Sequence, residues 1–167
     1  MANRVTSSTI FSAAWQNVYE LVNNRSNISD PSGQTTRKFV YSRDPDVKSA
    51  GFAGFPYIIV HGVSSAFKGV TVDMKGGEVS FTCRVEVVTC DRGFGASDGQ
   101  GLTQLDAISD DLVETFNKVS NRKTLANNNL AFSRPDTSDV VVEPIHNTLT
   151  YRRTFFLNFK SRMQVST

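Results

Sequence analysis

Cysteine is scarce in this 167-residue chain: there are only two, Cys83 and Cys90. Both fall on one expected strand, where seven residues at about 3.3 Å each hold them roughly 23 Å apart. A disulfide needs Cα atoms within about 7 Å, so a regular strand excludes a bridge between them inside one subunit. With no histidine nearby in sequence they make no zinc motif. Both are expected to be buried free thiols in a reducing compartment, behaving as small apolar residues. Histidine is equally rare, and neither His61 nor His146 stands in a recognised nucleophile motif, so catalysis is not expected. A strong charge of either sign is also missing. The net charge of +2 is too mild for a dedicated nucleic-acid binder, in which a concentrated basic stripe is expected.

Long apolar runs are absent as well, and nothing approaches the roughly eighteen residues of a membrane span. The stretch after Met1 has no continuous apolar segment of the kind a secretion signal carries. The glycosylation-type triplets at Asn24 and Asn27 are therefore read as coincidence. No low-complexity tract, internal repeat or dividing linker occurs, which leaves residues 1–167 as one expected domain with a core of ordinary size.

What the chain does have is phenylalanine, 12 residues against one Trp and four Tyr. Ile10, Phe11, Ala14, Trp15, Val18, Leu21 and Val22 recur at three- and four-residue spacing and predict a helix over 9–23, with Thr9 or Ser8 as N-cap. Short strands are expected at Lys38–Tyr41 and Tyr57–Val60. Val70–Val72 and the strand from Glu78 form a hairpin across Lys75-Gly76-Gly77. From Glu78, Val79, Phe81, Cys83, Val85 and Val87 alternate with Ser80, Thr82, Arg84 and Glu86, the pattern of an antiparallel strand with one packed face and one wet face. A second helix is predicted over 102–120, with Leu105, Ile108, Leu112, Val113, Phe116 and Val119 as its stripe. Two closing strands follow, Asp139–Pro144 and Thr148 to about Arg162. Helices not interleaved with every strand predict an α+β fold: a mostly antiparallel sheet, two amphipathic helices on one face, and a hairpin extension.

Few constellations carry chemistry. The glycine-rich stretch Gly93–Gly101 sits where a dinucleotide loop would, but Asp98 occupies the position of the third glycine and there is no P-loop lysine. It reads as a connection, with Asp98 or Ser97 capping the helix. Asp106, Asp110 and Glu114 lie four apart on one helix face. That row has three readings: a solvated face, a subunit interface, or, with Asp111, metal ligands. Arg152, Arg153, Lys160 and Arg162, interleaved with Tyr151, Phe155 and Phe156, faintly suggest a nucleic-acid-binding strand. Their parity splits them between two sheet faces. No cofactor or metal is expected.

The order of parts carries more. A helix from Ile10 to Val22 leads to the strand announced by Phe55-Pro56-Tyr57-Ile58-Ile59-Val60. A hairpin then ends in Glu78–Cys90, a glycine-containing loop enters the helix Leu102–Val119, and the strand from Thr148 through Phe159 closes the chain. This order resembles the tail-completion, or tail-terminator, family of long-tailed bacteriophages. The chain departs from that pattern in longer loops around 24–55 and 121–139.

The resemblance implies a non-enzymatic subunit of the virion neck, assembled in the host cytoplasm as a head-to-tail ring, usually of six copies. Such a ring caps the tail tube, ends its polymerisation and meets the head-completion protein, while genomic DNA passes without sequence-specific binding. No membrane partner is implied. A ring needs two different patches per subunit, so Asp106, Asp110 or Glu114 is expected to pair across the boundary with Arg152, Arg153 or Lys160. Lys68, Lys75, Gly76 and Gly77 at the hairpin tip form a second expected surface, facing the tube or the channel. A head-closure or connector protein is the alternative within the neck, and a nucleic-acid-binding module the alternative outside it.

Overall fold

The computed structural model describes residues 6, 9–70, 76–93, 99–145 and 148–164. Along them run α1 (Ile10–Asn23), β1 (Val40–Tyr41), β2 (Tyr57–Val70), β3 (Gly76–Cys90), α2 (Gly101–Asn117), α3 (Val119–Asn127), β4 (Ala131–Thr137), β5 (Val141–Ile145) and β6 (Thr148–Gln164). The fold is α+β. One sheet has the order β1-β2-β3-β6-β4, and β5 shares the outer flank of β6 with β4. Every pairing is antiparallel except β1 with β2.

The alternation in β3 places Val79, Phe81, Cys83, Val85 and Val87 in the main core beside Phe155, Leu157 and Phe159 of β6. Their register partners run from Phe81↔Phe159 to Val85↔Phe155, so apolar side chains meet directly across the ladder. Ala14, Val18 and Val22 of α1 and Leu105, Ile108, Leu112 and Phe116 of α2 close over this face. Each such large side chain contributes about 1.5–3 kcal/mol by leaving water. Phe11 of the α1 stripe is instead 52% exposed. Both cysteines are buried and free, and burial pushes the Cys83 thiol up to about 12.

The opposite face carries a second, smaller cluster. Tyr41, Tyr57, Ile59 and Val88 pack there under Phe52 and Phe55, with ring centroids 5.3–5.6 Å apart. The segment Tyr57–Val60 is thus buried on both faces, which is why it reads as an unbroken apolar run. The chain from 24 to 56, almost without regular structure, is fastened by Arg37. That side chain donates to Asp30 Oδ1 at 2.7 Å, to Ala53 O at 2.9 Å, and to the carbonyls of Gly54 and Pro56.

Several expectations need correction. β2 is one strand of 14 residues rather than two short ones. Its middle is small and polar, yet it stays in the ladder with β3 apart from a register shift between Val60 and Val63. The second helix ends at Asn117 rather than at 120, and a separate helix, α3, occupies the start of the stretch expected as a longer loop around 121–139. β4 was read as loop. Ser97 and Asp98 lie outside the described residues. The residue before α2 is Gln100, and the Gly101 N–H donates to Asp91 Oδ1 at 3.1 Å. A Cβ on Gly101 would stand 2.7 Å from the Tyr151 ring and 2.8 Å from the Cys90 backbone, so only glycine enters this helix so close to β3. Among the described residues no helix is long and apolar enough to cross a membrane.

Candidate functional site

The face of the sheet away from the helices holds a polar centre that the strand pattern describes only as wet. Glu86 of β3 shares this face with Arg84 on its own strand and with Arg152 and Thr154 of β6, whose register partners are Val88 and Glu86. The irregularity in β2 at Val60–Val63 brings His61 to the same point. His61 Nε2 lies 2.7 Å from Glu86 Oε2, Arg152 Nη1 lies 3.2 Å from that oxygen, and Thr154 Oγ1 donates to Oε1 at 3.3 Å. Only 10% of the Glu86 side chain is exposed.

Arginine has no acceptor, so Arg84 Nη2, 3.0 Å from His61 Nδ1, makes that nitrogen the acceptor in neutral imidazole. Nε2–H then donates to Glu86. Both ring nitrogens are therefore engaged, and neither is left to activate a nucleophile or bind a metal. Among the described residues no group of three or more His, Cys, Asp or Glu side chains could hold a metal ion.

Burial pushes the Glu86 carboxyl up. The hydrogen bond from His61 and the positive charges of Arg152 and Arg84 outweigh it and hold the group below the ordinary value of 4.5. A depressed folded-state pKa adds stability above the unfolded value, and that stability is lost as pH falls through the folded one. Glu86→Gln keeps the shape and removes the charge. It is expected to lower stability near pH 7 by about 1.5–3 kcal/mol. The gap from wild type should close as acid protonates Glu86, in urea titrations run at successive pH values. A gap that stays constant through the carboxylate range would show that the charge contributes nothing.

The residues singled out in the sequence are not gathered into one place. Arg153 Nη2 lies 2.8 Å from Asp106 Oδ1 within the same chain, joining β6 to α2. Lys160 Nζ lies 3.0 Å from Glu78 Oε1, and Arg152 serves Glu86 and, at 3.7 Å, Asp44. Arg152, Arg153 and Lys160 are thus each matched by a carboxylate inside the subunit. Asp110 and Glu114 are exposed, with no cation at ion-pair distance among the described residues. Lys68 belongs to the β2 ladder opposite Glu78, and Gly76 and Gly77 open β3 opposite Gln164 and Met163 rather than forming a loop. Lys75 and His146 lie outside the described residues.

Sequence reasoning missed His61, Arg84 and Glu86 as a unit. The only local signal was a histidine directly after a buried strand run. No protein-family model and no curated protein matches the sequence.

Proposed function

We propose that this chain is a structural subunit of the neck of a long-tailed phage, a tail terminator that assembles into a ring on the finished tail tube. The observation that carries the reading is the outer flank of the sheet. β5 has no strand on its far side among the described residues, and Val141, Val142 and Leu149 there are 47%, 51% and 45% exposed. β5 is short and carries Glu143 and Pro144, which blunt strand pairing, so the exposed valine and leucine side chains rather than the backbone edge are what a partner surface would cover. A neighbouring copy provides the cover.

The order of elements along the chain supports the same reading. The internal pairing of Arg152, Arg153 and Lys160 counts against the nucleic-acid-binding alternative, because those cations are already matched by carboxylates. In this role the protein meets itself, the tail tube protein and the head-completion protein, and genomic DNA crosses the ring.

The test is electron microscopy of lysates from the phage with an early stop codon in this gene. Tails of uncontrolled length, detached from filled heads, are expected. Normal-length tails that fail to join heads would assign the chain to head closure instead. Intact infectious particles would overturn the neck reading altogether.

A further inference from the structure

We infer that a cleft formed by residues 38–52 is the socket for the acidic ridge of α2 from a second copy of this chain. The inference rests on the ring reading and names the surfaces that would join one subunit to the next.

The cleft has a volume of about 540 Å³ and is lined by Lys38, Tyr41, Arg43, Asp44, Asp46 and Phe52. Its two cations, Lys38 and Arg43, have no carboxylate partner inside the chain among the described residues. The Lys38 ammonium lies 4.8 Å from the centre of the Tyr41 ring. The acids of the cleft are committed. Asp44 faces Arg152 at 3.7 Å, and Asp46 Oδ1 accepts the Lys48 N–H at 3.0 Å within its own turn. Lys48 adds a third cation to the same segment. Tyr41 is buried, and its hydroxyl has no hydrogen-bond partner, a state that costs free energy until an acceptor arrives. Two cations without a carboxylate partner and an unmatched donor call for a carboxylate.

The chain carries the complementary surface. With Asp106 taken by Arg153, Asp110, Asp111 and Glu114 remain along α2 without a cation at ion-pair distance among the described residues. A row of like charges four residues apart is mildly unfavourable by itself and gains from an opposite charge brought to it. The placement also fits. α2 covers the face of the sheet bearing Val85 and Val87, while the cleft belongs to the side where Tyr41 and Tyr57 pack on Val88. Ridge and socket therefore sit on opposite faces of one sheet. They cannot meet within a molecule, and they join copies head to tail, the heterologous contact that closes rings.

The experiment is complementation of the stop-codon phage with variants supplied in trans, scored as infectious titre. Lys38→Glu with Arg43→Glu reverses the socket, and Asp110→Lys with Glu114→Lys reverses the ridge. All four side chains are exposed, and circular dichroism of the purified variants confirms that each folds. Each pair of substitutions alone is expected to lower the titre at least about a hundredfold. One chain carrying all four, or the two variants expressed together, is expected to recover at least a tenth of wild type, because every socket again meets an opposite charge. Wild-type titres from either single-sided variant, or no recovery in the combined one, would overturn the socket while leaving the ring reading intact. If the stop-codon phage needs no complementation, the ring reading falls and the socket with it.

Discussion

Replacing Arg37 with methionine is expected to lower the unfolding free energy by about 3–5 kcal/mol, because it strands a buried carboxylate. The Asp30 and Arg37 side chains are 1% and 2% exposed and lie 2.7 Å apart. Arg25 reaches Asp30 from the other side, but only at 3.5 Å and from a side chain one-third exposed. Without Arg37 the carbonyls of Ala53, Gly54 and Pro56 also lose a donor. Long stretches without regular structure are uncommon in compact domains. Here one guanidinium stands in for the missing ladder, tying residue 30 to residues 53–56. Asp30→Asn combined with Arg37→Met should recover part of the loss, since no unpaired charge is then buried. Urea denaturation of the two variants measures both effects. A single variant within about 1 kcal/mol of wild type would mean the pair is only an ornament of the loop.

The second large effect is expected from Phe116→Ala, at about 3–5 kcal/mol. Phe116 is fully buried. Its ring centre lies 5.5 Å from that of Phe132 in β4 and 6.4 Å from that of Phe159 in β6, while those two lie 5.3 Å apart. The three rings join α2, β4 and β6, and Arg122 of α3 stacks over Phe132 at 5.4 Å. Among the described residues β4 pairs only with β6, and its ladder is interrupted between Phe132 and Pro135. Removing the ring should therefore loosen β4 before the rest of the sheet. Hydrogen exchange should show amide protection over 131–137 falling first. Uniform loss across the sheet would contradict this ranking.

β4 also shows why part of the fold was illegible. Its sequence, Ala131-Phe132-Ser133-Arg134-Pro135-Asp136-Thr137, has no alternation, and most of its residues are exposed. It is a strand because β6 offers an edge, where a proline is tolerated. α3 is similar. Its nine residues bury one apolar side chain, Leu125, so no stripe announces it. Glu86 failed for another reason. Parity put it correctly opposite Val85 and Val87, but parity does not say whether that face meets water. At this point His61 and Arg152 close on Glu86, and they come from 25 and 66 residues away in sequence.

The sequence by itself determined the class of fold, both amphipathic helices, the packed face of β3, the long closing strand and the burial of both cysteines. These are local consequences of a period of two or of about 3.6 acting on apolar side chains. Only the tertiary structure decided which charges are matched. Arg153 with Asp106 spans 47 residues, Arg152 with Glu86 spans 66, and His61 with Glu86 spans 25. A charge carries no period and takes whichever partner the folded chain brings within a few ångströms. Which cations remain for a neighbouring copy therefore becomes visible only once the internal pairs are known.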